Sequence, residues 1–177
     1  GGQLGQEVEV TFLGDATGPF KQKFKLPSET RELFELEPKS GDQVAPSGNR
    51  FRLFAHGNNM EAEPNDEIAK ATPGALPKAF NGIIEKKGDI DYFKFAAKKG
   101  QVFDIECYAR RLRSGLDPVM NLYKADGGGI AGNDDSRGPD SYFRVTIPAD
   151  GDYLLRITDH LGRGAKDFVY RVEMTSP

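Results

Sequence analysis

Six oxygen-bearing side chains crowd into two short stretches of this chain. Glu61, Glu63, Asn65 and Asp66 fall in Glu61-Ala62-Glu63-Pro64-Asn65-Asp66, and Asp89 and Asp91 in Gly88-Asp89-Ile90-Asp91-Tyr92. Oxygen donors at this density suit the binding of a hard cation, since Ca²⁺ takes about six to eight oxygens from carboxylates, amides and backbone carbonyls. Each stretch borders an apolar, β-patterned run, so the first expectation is a calcium-stabilised β-module rather than an enzyme. The competing reading is a solvated linker, in which Asn65 or Asp66 caps a short helix and Glu61 and Glu63 face water. Carboxylates this close repel unless a cation neutralises them. A cation joining the linker to the first hairpin would also add its binding free energy to folding.

Other chemistries have thinner support. The chain contains no Gly-x-Ser-x-Gly elbow, no His-Glu-x-x-His zinc motif and no Gly-rich phosphate loop opening a helix. Gly127-Gly128-Gly129 lacks the Lys of a nucleotide cradle, and Asp159-His160 would need a distant Ser to form a triad. Asn133-Asp134-Asp135 could hold a second cation, but Asn and Asp also dominate turns through side-chain to backbone bonds. Arg110-Arg111-Leu112-Arg113 could meet an anionic polysaccharide or a partner's carboxylates, or lie solvated on the surface. Tyr92, Tyr123, Tyr142, Phe143 and Tyr153 could form a platform for sugars, or core and cross-strand pairs.

The single cysteine, Cys107, shares a strand face with Phe103 and Ile105, which points to a buried, inert thiol. No intramolecular disulfide can form, and a bound metal is one option for another staple.

The elements that must position these residues are strands. The chain has 177 residues, with 37% hydrophobic and 29% charged, 21 Gly and 11 Pro. Short apolar runs between so many turn residues favour sheets over helices. The net charge of −3 argues against a nucleic-acid partner. No apolar run approaches the roughly 20 residues of a membrane-spanning helix. The start at Gly1-Gly2, without a leader, reads as the beginning of an excised piece.

Two regions are expected, 1–57 as a small β-rich segment or partial domain and 58–177 as the main domain. In the first, strands are expected at Glu7–Leu13, Lys21–Leu26, Glu32–Glu37 and Arg50–Ala55, with a loop over Lys39–Asn49. In the second, alternating faces are carried by Phe80/Gly82/Ile84, Phe93/Phe95, Phe143/Val145/Ile147, Tyr153/Leu155/Ile157 and Phe168/Tyr170/Val172. Asp-Gly turns are expected at Asp126-Gly127 and Asp150-Gly151. Only Asp66–Thr72 reads as helical, for one or two turns. Alternation on so many short runs predicts an all-β fold, a sandwich or barrel with one face of each sheet buried.

A family resemblance rests on an ordered series of elements. They are Glu63-Pro64-Asn65-Asp66, Asn81-Gly82, Gly88-Asp89-Ile90-Asp91-Tyr92-Phe93-Lys94-Phe95 and Lys99-Gly100-Gln101. Leu116-Asp117-Pro118-Val119, Leu122-Tyr123 and Gly132-Asn133-Asp134-Asp135 follow, and Pro148-Ala149-Asp150-Gly151-Asp152-Tyr153 closes the series. From about Glu61 to the C-terminus the chain resembles the bacterial pre-peptidase C-terminal domain. Its Ala109-Arg110-Arg111-Leu112 and Asp140-Ser141-Tyr142 are similar to copies in large secreted planctomycete proteins.

The resemblance implies a jelly-roll-like antiparallel β-sandwich that is not itself catalytic. It also implies kinship with the collagen-binding modules of bacterial collagenases, which bind Ca²⁺ through an acidic N-terminal segment. Carried over by position, the ligands would be Glu61, Glu63, Asn65, Asp66, Asp89 and Asp91.

The resulting expectation is a monomeric accessory module of a larger secreted, extracellular or periplasmic protein. A structural Ca²⁺ would sit at the domain entry, and the role would be targeting, spacing or stabilisation. The partners would be other domains of the parent protein. The alternatives are recognition of polysaccharide or protein through a sheet face, and a cleaved pro-region that assists secretion.

Overall fold

The computed structural model describes residues 1–31, 33–41 and 43–177. The chain divides into two compact units, Gly1–Gly57 and Asn58–Pro177. The first unit is built from short strands: β1 (Gly2–Gln3), β2 (Glu7–Phe12), β3 (Phe20–Lys25), β4 (Glu35–Leu36), β5 (Lys39–Ser40), β6 (Gln43–Val44), β7 (Asn49–Arg50) and β8 (Leu53–Phe54). Its longest pairing is the β2–β3 hairpin, in which Val10 faces Gln22 and Phe12 faces Phe20. Phe12, Leu26, Leu36 and Leu53 are buried together beneath it, a small core suited to a small unit.

Three expectations for this unit change. The strand expected over Arg50–Ala55 is split into Asn49–Arg50 and Leu53–Phe54. The Lys39–Asn49 stretch is not all loop, because β5 and β6 close a tight hairpin in which Ser40 faces Gln43. The strand expected over Glu32–Glu37 shortens to Glu35–Leu36, and Glu32 itself lies outside the described residues. Pro38 lacks an N–H for the ladder and stops β4 soon after Leu36.

The second unit carries β9 (Asn58–Met60), β10 (Thr72–Pro73), β11 (Ala79–Ile83), β12 (Asp91–Ala97), β13 (Val102–Tyr108), β14 (Pro118–Lys124), β15 (Gly129–Asn133), β16 (Ser136–Pro139), β17 (Tyr142–Thr146), β18 (Gly151–Asp159) and β19 (Val169–Thr175). Two five-stranded sheets form, in the orders β10-β12-β18-β14-β15 and β17-β13-β19-β11-β9. Alternation does the sorting: Phe93 and Phe95 of β12, Ile105 and Cys107 of β13 and Leu155 and Ile157 of β18 are all buried in one core. Phe80 anchors that core, its ring 5.0 Å from Phe93 and 6.0 Å from Phe95. Truncating Phe80 or Phe93 to Ala would cost about 3–5 kcal/mol in cavity and lost transfer energy.

The sandwich is antiparallel except at two edges. Strand β9 runs parallel to β11, and β10 runs parallel to β12. The reason is a single crossing: the chain pairs with the edge of one sheet at Asn58–Met60 and with the edge of the other at Thr72–Pro73. The acidic segment is the strap between these edges. The expected helix there is one 3₁₀ turn, Ile68–Lys70, with no buried residue to anchor anything longer. The strap is also tied to β12 directly, since Tyr92 N donates to Asn65 O at 3.2 Å.

Candidate metal centre

Strand β11 and the strap fix the first carboxylate. Glu61 N donates to Asn81 O at 3.0 Å, and Glu61 Oε1 accepts from Ile83 N at 2.8 Å. The carboxylate therefore lies across Gly82, where a Cβ would collide with Glu61 Oε2 and the Tyr170 hydroxyl. Glycine is required there for close approach, not for backbone torsion. Asp91 opens β12 and is fully buried. Its Oδ2 accepts from the Tyr170 hydroxyl of β19 at 2.5 Å, while its Oδ1 is buried with no hydrogen-bond partner. Glu63 is more exposed and accepts from Asn65 N at 3.1 Å.

These three residues converge. One oxygen from each of Glu61, Glu63 and Asp91 lies within 4.8 Å of the other two. Two oxygens on one Ca²⁺, at about 2.3–2.6 Å each, can be at most about 5 Å apart, so the three carboxylates can share one ion. Asn65, next along the strap, is fully buried and holds its amide by donating from Nδ2 to Thr72 Oγ1 at 3.3 Å. Its Oδ1 is a second buried oxygen without a partner. Buried acceptors are nearly always satisfied, and unpartnered oxygens at one strap-and-strand junction suit the ligands of a cation.

The electrostatics agree with the geometry. Burial pushes the Asp91 carboxyl well above the usual range, and the neighbouring Glu61 charge adds to it. Burial likewise raises Glu61, helped by Glu63 and Glu85 and opposed by bonds from Asp91 and the Ile83 amide. Glu63 is raised too, first by burial and then by Asp89 and Asp66. Groups that resist ionisation for want of positive charge are what a bound divalent ion would relieve.

Asp66 and Asp89 are placed differently. They adjoin the cluster but take other partners, although the buried Asp89 Oδ1 makes no hydrogen bond. Asp89 Oδ2 accepts from Glu85 N at 2.6 Å, and its Oδ1 has Lys86 Nζ at 3.4 Å. Asp66 accepts from Ile90 N at 3.4 Å and from Lys86 Nζ at 3.4 Å. Although burial pulls the other way, contacts with Asp89, the Ile90 amide and Lys86 hold Asp66 below the usual carboxylate range. The six sequence-predicted residues thus form two adjoining groups: Glu61, Glu63 and Asp91 with Asn65, and Asp66 with Asp89.

Three contributors escaped the sequence reading. Tyr170, Thr72 and Lys86 come from separate elements and meet the acids only in the fold. Tyr170 offered one signal, a hydroxyl on an otherwise core-facing strand, which calls for a buried acceptor. Several other polar side chains of the unit have structural partners. Asn133 Oδ1 accepts from Ser136 N and Tyr142 N, a turn-bracing role. Arg111 is turned back onto Asp140 and Glu106, and Cys107 is a buried free thiol whose pKa burial raises well above its ordinary value. Among the described residues no helix is long and apolar enough to cross a membrane.

Fold and site together define a class: a β-sandwich domain with a carboxylate cluster where its entry strap passes between sheets. Residues 89–159, which lie within the second unit, match the family model of the bacterial pre-peptidase C-terminal domain.

A Deinococcus radiodurans protein named "probable subtilase-type serine protease" is 37% identical over 99 residues, covering 54% of this chain and 14% of the relative. This chain therefore matches only a small part of that relative's length. Among solved structures, the pre-peptidase C-terminal domain of a Bacillus anthracis collagenase aligns at 16% identity. It covers 65% of this chain and 100% of that one, with a TM-score of 0.46. A periplasmic inhibitor of g-type lysozyme from Aeromonas hydrophila aligns at 13% identity, over 67% of this chain and 100% of that one, with a TM-score of 0.41.

Proposed function

We propose that the second unit is a calcium-stabilised, non-catalytic accessory module of a larger secreted protein. The observation that carries the reading is the convergence of Glu61, Glu63 and Asp91 within 4.8 Å, with the unpartnered oxygens of Asp91 and Asn65 in the same region. Glu61, Glu63, Asp91 and Asn65 would hold the ion, with water or backbone oxygens completing its shell. The ion would supply charge neutralisation and a tie between the strap and the two sheets it connects. A tie at this point fixes how the chain enters the sandwich, which suits spacing or supporting a neighbouring domain. The subtilase-type relative supports a secreted peptidase as the kind of parent protein.

The test is the thermal unfolding midpoint in excess Ca²⁺, in chelator and in Mg²⁺. Ca²⁺ at a hundredfold over its Kd would add about 2.7 kcal/mol, a rise of several degrees, because it binds the folded form alone. Mg²⁺ should do little, since it demands near-octahedral geometry and gives up water reluctantly. Equal midpoints in Ca²⁺ and chelator would refute the reading.

A further inference from the structure

The acidic patch is divided by a lysine. Lys86 and Asp89 are the first and last residues of a turn closed by Asp89 N donating to Lys86 O at 3.1 Å. Gly88 supplies its positive φ of 78°, and the turn sets the two side chains on the same side. Lys86 Nζ consequently stands 3.4 Å from Asp89 Oδ1 and 3.4 Å from Asp66 Oδ2. The Asp89 side chain is completely buried, yet its Oδ1 makes no hydrogen bond, so this ammonium is the positive charge that serves it. Among the described residues no ammonium or guanidinium makes an ion pair with Glu61, Glu63 or Asp91, and only Glu63 feels the Lys86 charge, from a distance. Their hydrogen bonds come from the amides of Ile83 and Asn65 and from the Tyr170 hydroxyl. One half of the patch therefore already has its cation, covalently attached, and the other half does not.

We infer that Lys86 is a built-in cation that occupies the Asp66–Asp89 half of the patch and limits the module to one divalent ion. This rests on the calcium reading above and sharpens it, because it assigns Asp66 and Asp89 to the lysine instead of to the metal. The proximity of the two halves supplies the reason for such a device. Asp66 directly follows Asn65 on the strap, Asp89 lies two residues before Asp91, and Tyr92 N donates to Asn65 O at 3.2 Å, so two divalent ions would stand close together and repel. A monovalent ammonium offsets the second pair of carboxylates without that repulsion. It also remains in place when calcium is scarce. Removing it would leave Asp66 and Asp89 as an open pair of hard ligands, adjoining a third carboxylate in Glu63.

The test is the number of Ca²⁺ ions bound, counted by native mass spectrometry and by isothermal titration, in the wild-type protein and in Lys86→Gln. Lys86 is mostly exposed, with 63% of its side chain accessible, so the variant keeps the fold. The expected result is one ion in the wild type and two in Lys86→Gln, with the second site also filled by Tb³⁺. A larger drop of the unfolding midpoint in chelator than in Ca²⁺ should accompany it, since only the metal-free variant lacks every cation at Asp66 and Asp89. One ion in both proteins would overturn the role of Lys86 while leaving the calcium reading intact, and two ions in the wild type would overturn it as well. No ion in either protein would remove the calcium reading and this inference with it.

Discussion

Two sets of buried or half-buried acids in the second unit are treated by the fold in opposite ways. Asp140 and Asp159 are surrounded by donors. Asp140 Oδ1 accepts from Ala109 N at 3.2 Å and Arg110 N at 2.8 Å, and its Oδ2 from Arg111 N at 3.3 Å and Arg111 Nε at 2.7 Å. The 3₁₀ turn Arg110–Leu112 starts after Ala109, which offers no capping side chain, so a carboxylate thirty residues away caps it instead. Asp159 accepts from the amides of Asp117, Leu161 and Arg163 and from the Arg163 guanidinium.

Glu61 and Asp91 receive one amide and one tyrosine hydroxyl between them, and they face each other. The pKa directions divide the same way: Asp159 falls to about 2 while Glu61 and Asp91 rise. A carboxylate that builds structure is supplied with positive charge by the chain. One left without it is a candidate site for charge supplied from outside, which is the reading proposed for Glu61 and Asp91.

The largest effect separating the two sets should come from Asp140→Ala. It strands three backbone amides and an arginine that also holds Glu106, and should cost about 3–5 kcal/mol. Urea unfolding at neutral pH, with chelator present, measures it. A cost below about 1 kcal/mol would mean that the donors around Asp140 find water easily, and the contrast would lose its structural half.

Asp159→Asn should cost less, about 1–2 kcal/mol once solvent screening of the exposed Arg163 partner is allowed for. The loss has a pH signature. The folded-state pKa is lowered to about 2, so the stabilisation is complete above the unfolded value near 4. It disappears as pH falls through about 2. The wild type should lose this increment between about pH 4 and pH 2, and the variant, which never had it, should show a flatter acid limb.

Much of the sandwich was legible in the sequence. Phe93/Phe95, Tyr153/Leu155/Ile157 and Tyr170/Val172 alternate because one face of each strand meets the core, and a period of two is local information. The two parallel edges were not legible. They follow from where the strap crosses between sheets, and no residue of Asn58–Met60 encodes the direction of its neighbour.

At the acidic patch, the oxygen-rich composition was readable but the division of labour was not. Glu61 and Asp91 meet through Tyr170, far along the chain, and Asp89 is claimed by a lysine only because a turn folds Lys86 against it. Asp140 looked like one motif residue among several. Its importance comes from backbone amides at 109–111 that carry no mark in the sequence.

The contrast rests most heavily on Asp91, and one comparison tests it: the unfolding midpoint of Asp91→Asn against wild type, each in chelator and in excess Ca²⁺ at pH 7.5. The amide keeps the shape and removes a charge that the metal-free site accommodates poorly, so in chelator the variant should match the wild type or exceed it. In Ca²⁺ the wild type should rise by several degrees and the variant should not move. A variant that keeps the full calcium response, or that is markedly less stable in chelator, would show that Asp91 is a structural carboxylate like Asp140 and would contradict the assignment of the site.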